Sequence, residues 1–160
     1  MRYHLIIVSF FVFVQFSPAQ TVNPDYDSTL AKKLGADEYG MKGYVFAILK
    51  TGSNTTTDKA FIDSCFSGHM ANIMRLVNEG KLLVAGPMGK NDNAYRGIFI
   101  LNVKTIEEAE QLVQTDPAIN SKLLDVDLYS WYGSAALSEY LGSGCSPDSG
   151  DKKECHHPYD

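Results

Sequence analysis

The chain has 160 residues, 44% of them hydrophobic, and a formal net charge of −5. That length suits one domain with a hydrophobic core of its own. A mildly acidic chain without a basic cluster argues against nucleic acid and anionic membrane surfaces as partners.

The N-terminal segment has the pattern of an export signal. Arg2 gives a short positive start, residues 5–16 are nearly all apolar, and Ser17-Pro18-Ala19 supply the small residues of a cleavage site. The apolar run is shorter than the roughly 20 residues of a comfortable membrane span. We therefore expect residues 1–19 to be a signal peptide, with a non-cleaved anchor as the alternative. The expected location is the periplasm or the outside of a bacterial cell.

After a polar lead-in at residues 20–43, which includes a short helix ended by Gly35, the hydrophobic pattern alternates between strand and helix periods. The predicted strands are residues 44–50, 81–85, 96–103 and 124–131, and the predicted helices are residues 58–79 and 105–114. Thr57 is the predicted cap of the first long helix, and the Thr105-x-x-Glu108 capping box opens the second. Gly86-Pro87 is expected to stop the second strand.

The resulting order, β-α-β-β-α-β, predicts an α+β sandwich of the ferredoxin-like type. Two helices would cover one face of a four-stranded antiparallel sheet and leave the other face bare. The strands carry more apolar area than one helical layer can cover, contributed by Tyr44, Phe46, Ile48, Phe99, Leu101, Tyr129 and Trp131. A face of that size predicts a homodimer.

His69 lies where the first long helix should present an apolar residue, one turn from both Phe66 and Ile73. An imidazole aimed at the core needs a partner for each nitrogen, or a cavity that admits water or a ligand. Histidine is also well suited to proton transfer near neutral pH. The alternative is a core histidine bound to a carbonyl and a water. The neighbouring Gly68, costly inside a helix, indicates a close approach of another group.

Asp116 is the predicted partner of His69, as a carboxylate that orients the ring and stabilises its charged form. Asp before Pro117 is also a standard helix start, so a purely structural capping role is the competing interpretation. The two residues can meet only through the fold.

Other candidates carry weaker signals. Arg96, at the start of the third strand, is either a solvated charge or a group that holds an anionic substrate. Cys65, four residues before His69, is read as a buried apolar residue rather than a nucleophile. Cys145 and Cys155 could form a disulfide in the polar tail, residues 134–160.

No metal site or cofactor is expected. Cys155-His156-His157 fits no structural zinc spacing, and the sequence has no phosphate-binding loop, dinucleotide fingerprint or serine-nucleophile elbow.

Residues 44–133 resemble the YCII-related family. The matching segments are HMANI around His69, EGKLLVAGP, the RGIFI strand, EEAEQLVQTDPA and a closing strand that ends in WYG. The resemblance implies a dimeric α/β-barrel arrangement with a His-Asp site in each subunit, which maps to His69 and Asp116. Gly86, Pro87 and Trp131 join Arg96 as substrate-binding candidates.

Two functions follow. The first is a small lyase or isomerase that uses His69 and Asp116 as an acid/base pair on a small molecule. The second is an exported binding or accessory module that captures a small molecule without changing it.

Overall fold

Residues 27–139 are described by the computed structural model of the chain. The elements are α1 (Ser28–Leu34), β1 (Met41–Thr51), α2 (Lys59–Asn78), β2 (Leu82–Pro87), β3 (Tyr95–Leu101), α3 (Ile106–Val113), α4 (Pro117–Asn120) and β4 (Leu124–Ser134), followed by a 3-10 turn at Ala135–Ser138. The predicted signal peptide, the Cys145–Cys155 disulfide and the Cys155-His156-His157 tract lie outside the described residues. Between residues 27 and 139, no helix combines the length and apolar character needed to cross a membrane.

The four strands form one antiparallel sheet in the order β2-β3-β1-β4. The two strands that neighbour β1 come from the second half of the chain, with α2 and α3 as the crossover helices. This is the split βαβ arrangement, so the predicted ferredoxin-like fold is confirmed.

One face of the sheet carries the core. Ala47 of β1 lies opposite Phe99 of β3, and both are buried against residues from α2, α3 and α4, including Leu76, Val113 and Ile119. Because side chains alternate along a strand, Phe46 and Ile100 point to the opposite face, where both are half-buried. Of the apolar strand residues named from the sequence, Phe99 and Leu101 belong to the helix-covered core.

The start of α2 differs by one residue from the prediction. Asp58, not Thr57, is the N-cap, and its Oδ1 accepts a hydrogen bond from the backbone N–H of Phe61 at 3.2 Å. Asp58 has the extended backbone geometry of an N-cap residue, and its own N–H donates to the Thr56 hydroxyl at 3.2 Å.

β2 runs through Gly86 and Pro87 instead of stopping before them, and Pro87 pairs with Gly97 of β3. A proline is tolerated there because β2 is an edge strand, whose outer side needs no ladder hydrogen bonds. The extension pairs Gly86 with Ile98 and Pro87 with Gly97 at the start of β3.

Candidate functional site

His69 is 9% exposed, in the middle of α2 and turned toward the sheet. Its ring stacks on Phe99 at a centroid distance of 6.0 Å and an interplanar angle of 20°, and it meets the edge of Phe66 at 6.2 Å. These contacts fix the ring plane between helix and sheet. The helical stripe predicted from the sequence does place the imidazole on the inner face.

Asp116 is fully buried and lies directly against that ring. Its Oδ2 is 2.6 Å from His69 Nδ1, while its Oδ1 accepts the backbone N–H of Ala118 at 2.9 Å and of Ile119 at 3.4 Å. One oxygen therefore caps α4 and the other binds the histidine. The capping contact and the contact with the histidine are therefore made by the same carboxylate.

The hydrogen-bond partners of Asp116 decide the tautomer of His69. An ionised carboxylate only accepts hydrogen bonds, so Nδ1 must carry the proton. In the neutral ring the free lone pair is then on Nε2. Within the described residues Nε2 has no protein partner, although every buried side-chain nitrogen or oxygen there has one. Nε2 therefore reaches open space.

His69 lines a cavity of about 410 Å³ between α2 and the ends of β2 and β3. Its walls are mainly apolar, and His69 and Arg96 are its titratable side chains. The lining residues are Leu49, Phe66, His69, Met70, Ile73, Ala85, Gly86, Pro87, Arg96, Gly97, Phe99 and Leu124. Hollows of about 520 and 540 Å³ lie beside β4 and beside Lys42, but neither contains a histidine.

The predicted substrate-binding residues separate into two groups. Arg96, Gly86 and Pro87 line the cavity with His69, and the Arg96 side chain makes no ion pair within the described part of the chain. Trp131 lies elsewhere, on the face of the sheet opposite the core, with its ring 5.6 Å from that of Tyr44. The structure thus does not bring Trp131 to the cavity.

Cys65 is buried and unpaired, and it is not among the residues that line the cavity. Its position agrees with the packing role expected from the sequence. Across residues 27–139, no group of three or more His, Cys, Asp or Glu side chains has the arrangement of a metal site.

Three polar residues that lie behind the His69–Asp116 pair were not predicted from the sequence. Asn72 is 6% exposed and its Nδ2 lies 3.4 Å from Asp116 Oδ2, while Arg75 and Thr115 contact Asn72 from the other side. A signal was present, because Asn72 follows His69 by three residues and so shares its helix face. A buried amide on that face requires partners.

The described geometry defines a ferredoxin-like domain with a buried His-Asp pair at the wall of an apolar cavity. The model of the YCII-related domain matches residues 45–131, more than half of the chain, and the chain belongs to that family.

Comparison with the curated proteins gave no match. Among solved structures, the chain is similar to 5-chloro-2-hydroxyhydroquinone dehydrochlorinase from Burkholderia phenoliruptrix in complex with 2,5-dihydroxybenzoquinone. The two share 22% sequence identity, the match covers 54% of this chain and 92% of that chain, and the TM-score is 0.39.

Proposed function

We propose that this chain is a small-molecule enzyme of the lyase or isomerase type, in which His69 transfers a proton through Nε2. One observation carries the proposal: a ring whose Nδ1 is bound to a fully buried carboxylate presents its other nitrogen to an apolar cavity. A purely structural histidine would not need a cavity at its second nitrogen.

Each residue has a defined part in the proposed reaction. His69 Nε2 takes a proton from a carbon or hydroxyl of the substrate, and the electron pair of the broken bond forms a new double bond. At the same time, either a neighbouring bond breaks and its pair departs with the leaving group, or the π pair of an adjacent carbonyl moves onto its oxygen. The imidazolium is stabilised by Asp116 at 2.6 Å and returns the proton to the product or to the leaving group. Water exclusion by the apolar walls strengthens this charge interaction.

Arg96 is the proposed binding group for negative charge on the substrate. It is exposed, lines the cavity, and stands at a bulge where the pairing of β1 with β3 shifts register. A guanidinium without a carboxylate partner is suited to a substrate carboxylate or to an oxyanion that develops during proton transfer. Gly86 and Pro87 form the adjoining wall.

The binding module is the second candidate, and one observation favours it. Apart from His69 and Arg96, the cavity lining has no titratable side chain that could act as a second acid or base. A site of that kind would capture a small apolar anion without changing it.

The test begins with the mature chain, from Gln20 onward, screened by thermal shift against small aromatic and lactone metabolites. Compounds that bind are then incubated with the protein and followed by mass spectrometry. We expect His69→Gln to retain binding but to lose about 10²- to 10⁴-fold in turnover, the usual contribution of a general acid or base. Met74→Ala, on the exposed side of the same helix, is the matched control and should behave as wild type.

Turnover by His69→Gln within a few-fold of wild type would contradict the catalytic assignment. Saturable binding by the wild-type chain with no product from any bound compound would favour the binding module instead.

Two further parts of the proposal concern assembly and location. We propose a homodimer formed through the sheet face that α2 and α3 leave uncovered, because that face combines half-buried Phe46 and Ile98 with exposed Tyr129 and Trp131.

We also propose export directed by residues 1–19, which N-terminal sequencing of the protein from the periplasm or medium would test. A first residue at Gln20 is expected, and an intact Met1 would contradict it.

A further inference from the structure

Asn72 holds a buried primary amide whose orientation is decided by its neighbours. Its oxygen Oδ1 accepts from Arg75 Nη2 at 2.8 Å, and a guanidinium can only donate. The amide nitrogen Nδ2 must therefore face the other way, toward Asp116 Oδ2 at 3.4 Å. The amide thus donates to the same carboxylate oxygen that binds His69.

Thr115 ties this amide to the segment that carries Asp116. Its hydroxyl accepts from Arg75 Nη2 at 2.8 Å and lies 2.9 Å from Asn72 Oδ1 and 2.6 Å from the carbonyl of Leu112. One guanidinium nitrogen therefore bridges α2 and the residue immediately before Asp116. These hydrogen bonds link α2, which carries His69, to the segment that carries Asp116.

We propose that Asn72, held in place by Arg75 and Thr115, is a positioning residue for the His-Asp pair. The inference rests on the proposed function, and it adds the group that fixes the reacting histidine through Asp116. Neither Asn72 nor Thr115 lines the cavity, so neither can touch a bound substrate.

The Asn72 amide limits rotation of the Asp116 carboxylate. Oδ1 is held by the N–H groups at the start of α4, and Oδ2 is held by His69 and Asn72. If the Asn72 donor is lost, Oδ2 keeps only the ring it is meant to orient. The carboxylate can then turn about the N–H groups that hold Oδ1, so that its bond to Nδ1 and the direction of Nε2 are less well fixed.

The test compares variants that remove the network with variants that preserve it. Asn72→Leu replaces the amide with an apolar group of similar size, and Thr115→Val removes the hydroxyl. Thr115→Ser keeps the hydroxyl and is the conservative variant expected to rescue. Glu79→Gln is the control, because it removes only the negative charge of the exposed side chain that Arg75 Nη1 contacts at 2.8 Å.

Two readouts distinguish positioning from general packing. With a substrate found as described above, Asn72→Leu and Thr115→Val should lower kcat about 10- to 100-fold with little change in KM, while Thr115→Ser and Glu79→Gln stay near wild type. Independently of any substrate, the ¹⁵N chemical shifts of His69 should show Nδ1 protonated and Nε2 unprotonated in the neutral wild-type ring. In Asn72→Leu the two shifts should move toward each other, because a carboxylate that is free to turn away from Nδ1 no longer holds the proton on that nitrogen.

Wild-type ring shifts in Asn72→Leu and Thr115→Val would overturn the proposal, as would equal loss of kcat in Thr115→Ser and Thr115→Val. If Asn72→Leu does not fold, the Thr115 pair carries the test alone. Failure of the proposed function can be distinguished from failure of the positioning role. In the first case the wild-type chain turns over no compound, but the ring shifts still report whether Asn72, Arg75 and Thr115 orient His69.

Discussion

Gly68, which immediately precedes His69, packs directly against Pro117, which immediately follows Asp116. A Cβ built on Gly68 would lie 2.7 Å from Cγ of Pro117 and 3.3 Å from its Cβ. The contact sets how closely α2 approaches the start of α4. It thereby sets the distance between His69 and Asp116, and it explains why a glycine occupies the middle of α2.

The substitution Gly68→Ala has two opposite effects on the free energy of unfolding: a gain in helix propensity and a loss from overpacking. Helix propensity alone would stabilise the protein by up to about 1 kcal/mol. The proline ring cannot yield independently of the backbone, so we expect overpacking to dominate and the free energy of unfolding to fall by about 1–3 kcal/mol. Chemical denaturation measures this. Gly89→Ala, where a Cβ would meet nothing within 4 Å, is the control, and a more stable Gly68→Ala protein would contradict the contact.

Substitution of Asp116 separates its two roles. Asn caps helices about as well as Asp, so Asp116→Asn should keep the cap of α4, whereas Asp116→Ala should lose it and be about 1–2 kcal/mol less stable than Asp116→Asn. Both variants should lower kcat by at least about 100-fold, because neither provides the negative charge that stabilises the imidazolium. Thermal unfolding and steady-state kinetics check the two expectations separately. A wild-type kcat in Asp116→Asn would show that capping α4 is the one role of Asp116 that matters.

Tyr132 and Asp37 predict a pH dependence of stability outside the site. The Tyr132 hydroxyl donates to Asp37 Oδ2, and this bond raises the pKa of Tyr132 to about 12 and lowers the pKa of Asp37. For the raised tyrosine, the stabilisation is complete below the ordinary pKa of about 10 and is lost as pH rises through about 12. For the lowered aspartate, it is present above the ordinary value of 3.8 and is lost as pH falls through the lower folded pKa.

We therefore expect Tyr132→Phe to lower Tm between about pH 4 and pH 10 and to converge with wild type at both extremes. Thermal unfolding from below about pH 4 to above about pH 12 is the measurement. Tyr95→Phe is the control, since the Tyr95 hydroxyl makes no hydrogen bond to any residue that the structure describes. A constant Tm difference at every pH would show that the bond contributes only packing.

The proposed dimer predicts a change in mass for a surface substitution. Tyr129 is 50% exposed on the uncovered sheet face, beside Phe46, so Tyr129→Asp should not disturb the monomer core but should place a charge in the interface. Light scattering coupled to size exclusion should then give twice the monomer mass for wild type and the monomer mass for the variant. Tyr39→Asp, 60% exposed and outside the sheet, should remain a dimer. A monomeric wild-type chain would overturn the dimer.

The sequence predicted well those features that depend on a single helix, namely its periodicity and its N-terminal cap. The period of α2 placed His69 on the inner face, the Thr105 hydroxyl caps α3 by accepting the Glu108 N–H, and Asp116 caps α4 before Pro117. The order of strands and helices was also enough to predict the ferredoxin-like sheet, because few connections of that order satisfy the rules of strand crossover.

The sequence by itself therefore determined the elements, their order and the presence of a histidine where an apolar residue belongs. Only the tertiary structure decided that Phe99 faces the helices, that Trp131 lies away from the cavity, and that Asn72, Arg75 and Thr115 stand behind the pair. The reason is physical. Alternation along a strand defines two faces but not which of them the helices cover, and that choice follows from pairing between residues far apart in the chain. Hydrogen bonds across 44 and 40 positions, such as Asn72 to Asp116 and Arg75 to Thr115, likewise exist only once α2 and α4 have packed.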